Sequence, residues 1–459
     1  MSTGPTRRRV VGAGLAASAS ALVSGCAMGG AGGAGGQERE LDGAGGDSGD
    51  GSGGDPEGGK KLSGAITVWS WDTAAGALKR FARTFERRHP GTRIKVVDIG
   101  YDNAYDKITV GLRGGTGLAD VLTMEGSYLP RYTANFPTGF YDLGERGGRY
   151  GGDFDRAAWR TVVGGADRGK VFALPWDIGP CGLYYRRDHF RAARVDPKSL
   201  ETWADFVDAS VRVKKATGRK AIIADTTDPG IFPMLLQQQG QLYFKGGRVA
   251  LDTPAAVAAL TVLRDLAEHG LIDYEKGWDG LVTGTKEGKA TSTPTAAWWT
   301  GTLTGEMPEL KGKFGVVPLP GFTADGTRTS NVGGSTLSIP AQSKNPDLAW
   351  EFLRSVLASR TNQVSMLKRE GLFPSYLPAL DDPYLSRKQD YFGGQATNAV
   401  FARLAQSIPP VEYTDDDAKA TDIVTAAVNS ATLRGKDPRS VLKAAADQLA
   451  DATGRKKVA

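Results

Sequence analysis

An α/β protein of two lobes, exported and tethered through its N-terminus, is the fold class the sequence predicts. Three observations predict it. Strand-like and helix-like periods alternate along residues 62–452. The 459-residue length exceeds one ordinary domain. Residues 1–61 have the composition of an export signal followed by a Gly-rich spacer. Apolar residues make up 40% and charged residues 24%, which is ordinary globular composition. The formal charge of +6 includes Arg7, Arg8 and Arg9, so losing residues 1–25 would leave 54 basic against 51 acidic groups. No Lys/Arg run with interleaved aromatics occurs in the body, and no nucleic-acid partner is expected.

In order along the chain, Arg7–Arg9 form a basic segment before a run from Val10 to Val23 that is too short to span a bilayer as a helix. Val23-Ser24-Gly25-Cys26 resembles a lipoprotein box, which makes residues 1–25 a signal peptide and Cys26 the lipidated residue. The alternative is an uncleaved anchor in which Cys26 is incidental. Thr6–Val11 also resembles a twin-arginine signal, and the export route stays open. Residues 26–61 read as a flexible tether with an r.m.s. span of roughly 30–35 Å. With Cys26 given to the lipid, Cys181 stands alone and no disulfide is possible within the chain. His89, His189 and His269 are far apart and form no metal motif, so no metal or cofactor is expected.

In the body, Ala65–Trp71, Ile94–Ile99 and Asp120–Met124 read as strands. Residues 74–88 and the series Tyr105, Ile108, Leu112 read as the helices between them. This alternation predicts a parallel sheet whose ligands lie beyond the strand C-termini, at Trp71-Asp72, Gly100–Asn103 and Glu125–Tyr128. A second α/β unit follows: a helix through Trp203, Phe206 and Val207, a strand Ala221–Ala224 and a helix Phe232–Gln239. Next come a hairpin turning at Gly246-Gly247 and a helix begun by Thr253-Pro254 and ended by Gly270. Further helices are expected at Pro346–Leu357, 415–433 and 438–452, with Trp298-Trp299 in a loop.

The stretches GAITVWSWD, ADVLTME, VFALPWDIGPCGLYYRRD, GGRVALDTPAAVAAL, AAWWT and NVGGSTLSIPAQSKNPDLAWEFL occur in that order. Together they resemble the family 1 extracellular solute-binding proteins of ABC importers, to which maltose-type sugar-binding proteins belong. The resemblance covers roughly residues 62–452. It implies a periplasmic-binding-protein type II fold, with two α/β lobes joined by hinge crossings and a ligand cleft between them. The implied first lobe comprises 62–177 and a return segment 320–362; the second comprises 178–319 and 363–459. Crossings are implied at Leu174–Tyr185, near Val317–Phe322 and near Arg360–Met366. The implied function is capture of a sugar or oligosaccharide for delivery to ABC permease subunits. The protein would be a monomer, exported and lipid-anchored on the outer face of the cytoplasmic membrane.

Sugar binding needs flat aromatic faces and planar hydrogen-bonding groups. The candidate ligand residues are Trp71, Asp72, Tyr101, Asn103, Glu125, Tyr128, Trp176, Asp177, Trp298, Trp299, Gly333, Gly334 and Tyr413. Each has a plainer alternative. Trp71 could be core and Asp72 a helix cap, and the glycines could simply form turns. One of Trp298 and Trp299 is expected to stack on ligand, without a choice between them. Trp69, Trp159, Trp203 and Trp350 lie on periodic elements and read as core, and Cys181 as a small buried residue. No catalytic residue is expected: G-x-S-x-G and Walker A patterns are absent. Two alternatives remain open. Asp72, Glu125, Asp177 and Asp228 would also suit a polyamine, and Glu125 with Asp177 could be posed as a glycosidase pair.

Overall fold

The structure, a computed structural model, describes residues 61–164 and 169–458. The signal segment, Cys26 and the tether up to residue 60 lie outside the described residues. Among the described residues no helix is long and apolar enough to cross a membrane.

The first lobe is built on the alternation read from the sequence. Strand β1 (Gly64–Ser70), helix α1 (Asp72–Arg88), strand β2 (Thr92–Asp98), helix α2 (Tyr101–Gly114) and strand β3 (Val121–Glu125) follow one another. β1 pairs in parallel with β2, Val68 beside Val96, and with β3, Val68 beside Val121. α1 buries Ala74, Leu78, Phe81 and Phe85 on one stripe, the helical period that the sequence shows. Two later strands complete the sheet: Ser335–Ser338, antiparallel to β3, and beyond it Ala173–Pro175, antiparallel to Ser335–Ser338 and so running in the direction of β3. The second lobe holds an antiparallel sheet of Ser292–Ala296, Cys181–Arg186 and Phe314–Pro318, and a parallel pair, Ile222–Asp225 with Ile272–Glu275. Its helix Pro254–Glu268 starts as expected, with the Thr253 hydroxyl accepting from the Ala256 N–H. The hairpin turns at Gly246 (φ 59°) and Gly247 (φ 71°), a pair of left-handed residues that suits the twist of the strands. Helices Asp417–Thr432 and Pro438–Thr453 pack on this lobe through Ala420, Val424, Leu442 and Leu449.

Three segments meet between the lobes, with the chain from Trp176 to Gly179 in the middle. On one side the Trp176 N–H donates to the Ser335 carbonyl at 2.8 Å and the Val332 N–H to the Gly179 carbonyl at 3.0 Å. On the other, the Ile178 N–H donates to the Phe373 carbonyl at 3.0 Å. The close approach explains Gly179: a Cβ there would lie 1.9 Å from the Val332 carbonyl oxygen. The second crossing is not at Val317–Phe322. Val317 and Pro318 end a second-lobe strand, Leu319 is bonded to Arg328, Gly321 to Glu201 and Trp203 to Gly321, so this segment stays within the second lobe. The chain changes lobe at Asn331–Ser335, and the boundary expected at 320 moves there. The region expected as the third crossing is a helix, Arg360–Glu370, whose Met366 joins the first-lobe core and whose Leu367 joins a second-lobe cluster.

Candidate functional site

The C-terminal ends of β1 and β3 open on one side of the first-lobe sheet, where loop residues face the second lobe. Trp71 follows β1 and is nearly buried, its ring edge-on to Tyr101 at 5.5 Å. Asp72, at the start of α1, takes a left-handed φ of 45°, which is uncommon for a side chain other than glycine, Asn or Asp. Gly100 (φ 70°) turns the chain into α2 and places Tyr101 over β3. The Tyr101 hydroxyl donates to Glu125 Oε1 at 3.1 Å, and the Tyr105 hydroxyl accepts from the Glu125 N–H at 3.0 Å. Tyr128 stacks on Tyr105 with centroids 4.1 Å apart. Glu125 therefore sits inside an aromatic collar.

The hinge forms the floor. The Asp177 carboxylate is 4% exposed and accepts from the Ser335 N–H at 2.7 Å. Gly333 and Gly334 beside it have φ of 79° and 101°. A Cβ on Gly334 would stand 3.0 Å from the Asp177 carbonyl, so glycine is required there for both conformation and space. The opposite wall comes from the second lobe: Asp225, Asp228, Ile231 and Met234 after the strand Ile222–Asp225, and Trp278 and Trp298. Trp278 and Trp298 lie 5.8 Å apart, and the Trp298 Nε1 donates to the Val332 carbonyl at 2.9 Å.

These walls enclose a cavity of about 580 Å³, in the range of small-molecule sites. Of the expected residues, Trp71, Asp72, Tyr101, Glu125, Asp177, Trp298, Gly333 and Gly334 line it. The others do not. Trp176 is fully buried in the first-lobe core, and its Nε1 donates to Met366 Sδ. It shares a face with Leu174 because strand side chains alternate, which sends Asp177 to the cavity and Trp176 away from it. Trp299 is likewise fully buried: it opens the helix Trp299–Glu306 and faces the core, while Trp298 just before it faces the cavity. Asn103 is exposed on α2, outside the cavity. Tyr128 stands behind Tyr105. Tyr413 is half-buried outside the lining, yet burial first, then Asp417 and Glu125, push its phenol above the ordinary range. Trp278, which is not among the residues expected from the sequence, lines the cavity from the first turn of the helix Gly277–Lys286.

The electrostatics of the cavity are one-signed. Among the described residues, seven carboxylates line it, and no Lys, Arg or His does. Glu370 pairs with Arg80 at 2.6 Å and Glu275 with Lys289, both cations standing outside the lining. Burial pushes Glu125 up to about 7, against the Tyr101 hydrogen bond and with help from Asp177. Burial also pushes Asp177 up to about 6, against the bond from Ser335. Among the described residues, no cluster of three or more His, Cys, Asp or Glu could hold a metal ion.

The raised carboxyls predict a pH dependence. A group whose folded pKa exceeds its unfolded value stabilises the fold fully below the unfolded pKa, and this stability is lost as pH rises through the folded pKa. For Glu125 and Asp177 the window runs from about pH 4 to about pH 7. His189, whose pKa burial lowers, opposes the trend below its ordinary value. Glu125→Gln should therefore stabilise the ligand-free protein by about 1–3 kcal/mol at pH 8 and by much less at pH 5. Denaturant titration at the two pH values checks this; a pH-independent difference would contradict it.

Comparison with known proteins agrees with this architecture. The chain is 28% identical over 399 residues to a lactose-binding protein of Rhizobium radiobacter, covering 85% of this chain and 93% of that one. It is 26% identical over 411 residues to an arabinooligosaccharide-binding protein of Bacillus subtilis (strain 168), with the same two coverages, 85% and 93%. Among solved structures, an ABC transporter associated binding protein of B. animalis subsp. lactis Bl-04, in complex with beta-1,6-galactobiose, superposes with a TM-score of 0.74. It does so at 23% identity over 85% of this chain and 98% of that one. Maltose-bound T. maritima MalE3 superposes with a TM-score of 0.71 at 21% identity, over 84% of this chain and 99% of that one. The family model for bacterial extracellular solute-binding proteins matches residues 70–363, a span that runs from the end of β1 through the hinge, and the chain belongs to that family.

Proposed function

We propose that this protein captures a sugar or oligosaccharide between its lobes and delivers it to an ABC permease. It does so as a lipid-anchored monomer on the outer face of the cytoplasmic membrane. The observation that carries the reading is the make-up of the cavity: Trp71, Trp278 and Trp298 offer ring faces, and Glu125 and Asp177 offer planar acceptors beside them. Rings stack on the C–H-rich faces of sugars while carboxylates take pairs of hydroxyls. The relatives that bind lactose and arabinooligosaccharides support the same class.

The test is thermal melting of the purified protein against mono- and oligosaccharides, with spermidine included, followed by calorimetry on any hit. A ligand bound only by the folded state adds about 2.7 kcal/mol at a hundred times its Kd. One sugar should bind per chain and be recovered chemically intact. Stabilisation by spermidine and by no sugar would overturn the reading in favour of a polyamine. Turnover of the sugar, abolished by Glu125→Gln, would overturn it in favour of an enzyme. The anchor is tested separately: Cys26→Ala should release the protein from membranes, and unchanged partition would reject lipidation.

A further inference from the structure

The cavity is built to accept hydrogen bonds from a ligand far more than to donate charge to it. Glu125, Asp177, Asp225 and Asp228 hold no ion pair among the described residues. Their partners are hydroxyls and backbone N–H groups: Tyr101 for Glu125 at 3.1 Å, Ser335 for Asp177 at 2.7 Å, Thr227 and Gly277 for Asp225 at 2.8 Å, and Gly230 for Asp228 at 2.6 Å. A carboxylate has about four lone-pair sites, so Glu125 and Asp228, with one such partner each, keep most of their capacity. The two belong to opposite lobes, Glu125 at the end of β3 and Asp228 in the loop after Ile222–Asp225. Both face the space around Tyr101, whose phenol is raised by Glu125 first and also by Asp228. Arg131, whose charge acts on Tyr128, lies over the Tyr132 ring at 5.8 Å, outside the cavity lining.

We propose that the cavity selects saccharides bearing a protonated amine over their neutral counterparts and rejects acidic ones, with Glu125 and Asp228 holding the ammonium between the lobes. This rests on the sugar-binding reading above and narrows it. An ammonium brings three donors and a positive charge to acceptors that are short of both. A sugar carboxylate or phosphate would meet only like charge, with no described cation in the wall to receive it. Because the two acceptors come from different lobes, an ammonium between them favours the closed state, which is the condition for a ligand to drive closure. Burial has pushed Glu125 up to about 7, so an ammonium would restore its charge and release a proton on binding near neutral pH.

The experiment is calorimetry on matched sets of disaccharides. Lactose, maltose, cellobiose and galactobiose are each used as the parent, as a monoamino derivative and as a monocarboxylate derivative, at pH 7 and low salt. For a scaffold that binds, the best amino derivative should bind about 10- to 100-fold more tightly than its parent, and the carboxylate derivative more weakly. Titration in two buffers of different ionisation enthalpy should show proton release with the amine and much less with the parent. Asp228→Asn, at an exposed position, should lower the amine-to-parent ratio about tenfold, and salt should lower it further. Parents that bind as tightly as every amino derivative would overturn the selectivity while leaving the sugar reading intact. If no disaccharide in any form binds and the melting screen finds no other sugar, both readings fall together.

Discussion

Replacing Trp176 by alanine should lower the stability of the ligand-free protein by about 3–5 kcal/mol, the usual cost of deleting a large buried aromatic side chain. The ring is 0% exposed among first-lobe core residues, and its N–H points at Met366, so truncation leaves a cavity that a packed core closes only in part. The backbone is held independently of the ring. The Trp176 carbonyl accepts from Ser375 Oγ at 2.8 Å and Gln363 Nε2 at 3.1 Å, so the crossing should keep its path in the folded variant. Ligand affinity should then change by less than about fivefold, since the ring lies outside the cavity wall. Urea titration without ligand and calorimetry with it separate the two quantities. A variant with near-normal stability and an affinity reduced tenfold or more would return Trp176 to the cleft.

The Trp176-Asp177 pair shows where the sequence could be read and where it could not. Local order was legible wherever one element carried its own signal: the apolar stripe of α1, the Thr253-Pro254 start, the Gly246-Gly247 turn and the helix Pro346–Leu357. The hinge carries no such signal, because its partners are distant in sequence. Counting by twos from Leu174 would have sent Trp176 inward and Asp177 outward, but the proline and glycine on either side hide the strand. Gly321 and Gly333 look alike as punctuation. Only the bonds from Gly321 to Glu201 and from Val332 to Gly179 distinguish a loop within one lobe from a crossing between two. Trp298 and Trp299 are adjacent in the chain, and the start of a helix decides which one faces the cavity. Trp278 had a weak signal, an aromatic flanked by Gly277, Asp279 and Gly280, whose small neighbours leave a ring face uncovered.

Trp278→Ala should weaken ligand binding by about 10- to 150-fold, which corresponds to about 1.5–3 kcal/mol for the apolar area that a stacked sugar would bury. The ring is half-buried, lines the cavity from the second lobe, and is propped edge-on against the buried Trp299 at 5.6 Å. A ring supported from behind is already oriented, so little ordering cost is charged against the ligand. Trp298 is the more complicated neighbour, because its N–H holds the Val332 carbonyl at the second crossing. Trp298→Ala removes both a ring face and a hinge bond, whereas Trp298→Phe keeps a face and removes only the bond. The expected order of affinity is therefore wild type, then Trp298→Phe, then Trp298→Ala and Trp278→Ala. Ligand-free stability should fall less for Trp278→Ala than for Trp176→Ala, because the first ring already meets solvent in the cavity and the second does not. Calorimetry with the best sugar from the melting screen gives the order. Normal affinity in Trp278→Ala, with the melting temperature lowered as far as in Trp176→Ala, would make Trp278 a core residue and take the stacking face out of the second lobe.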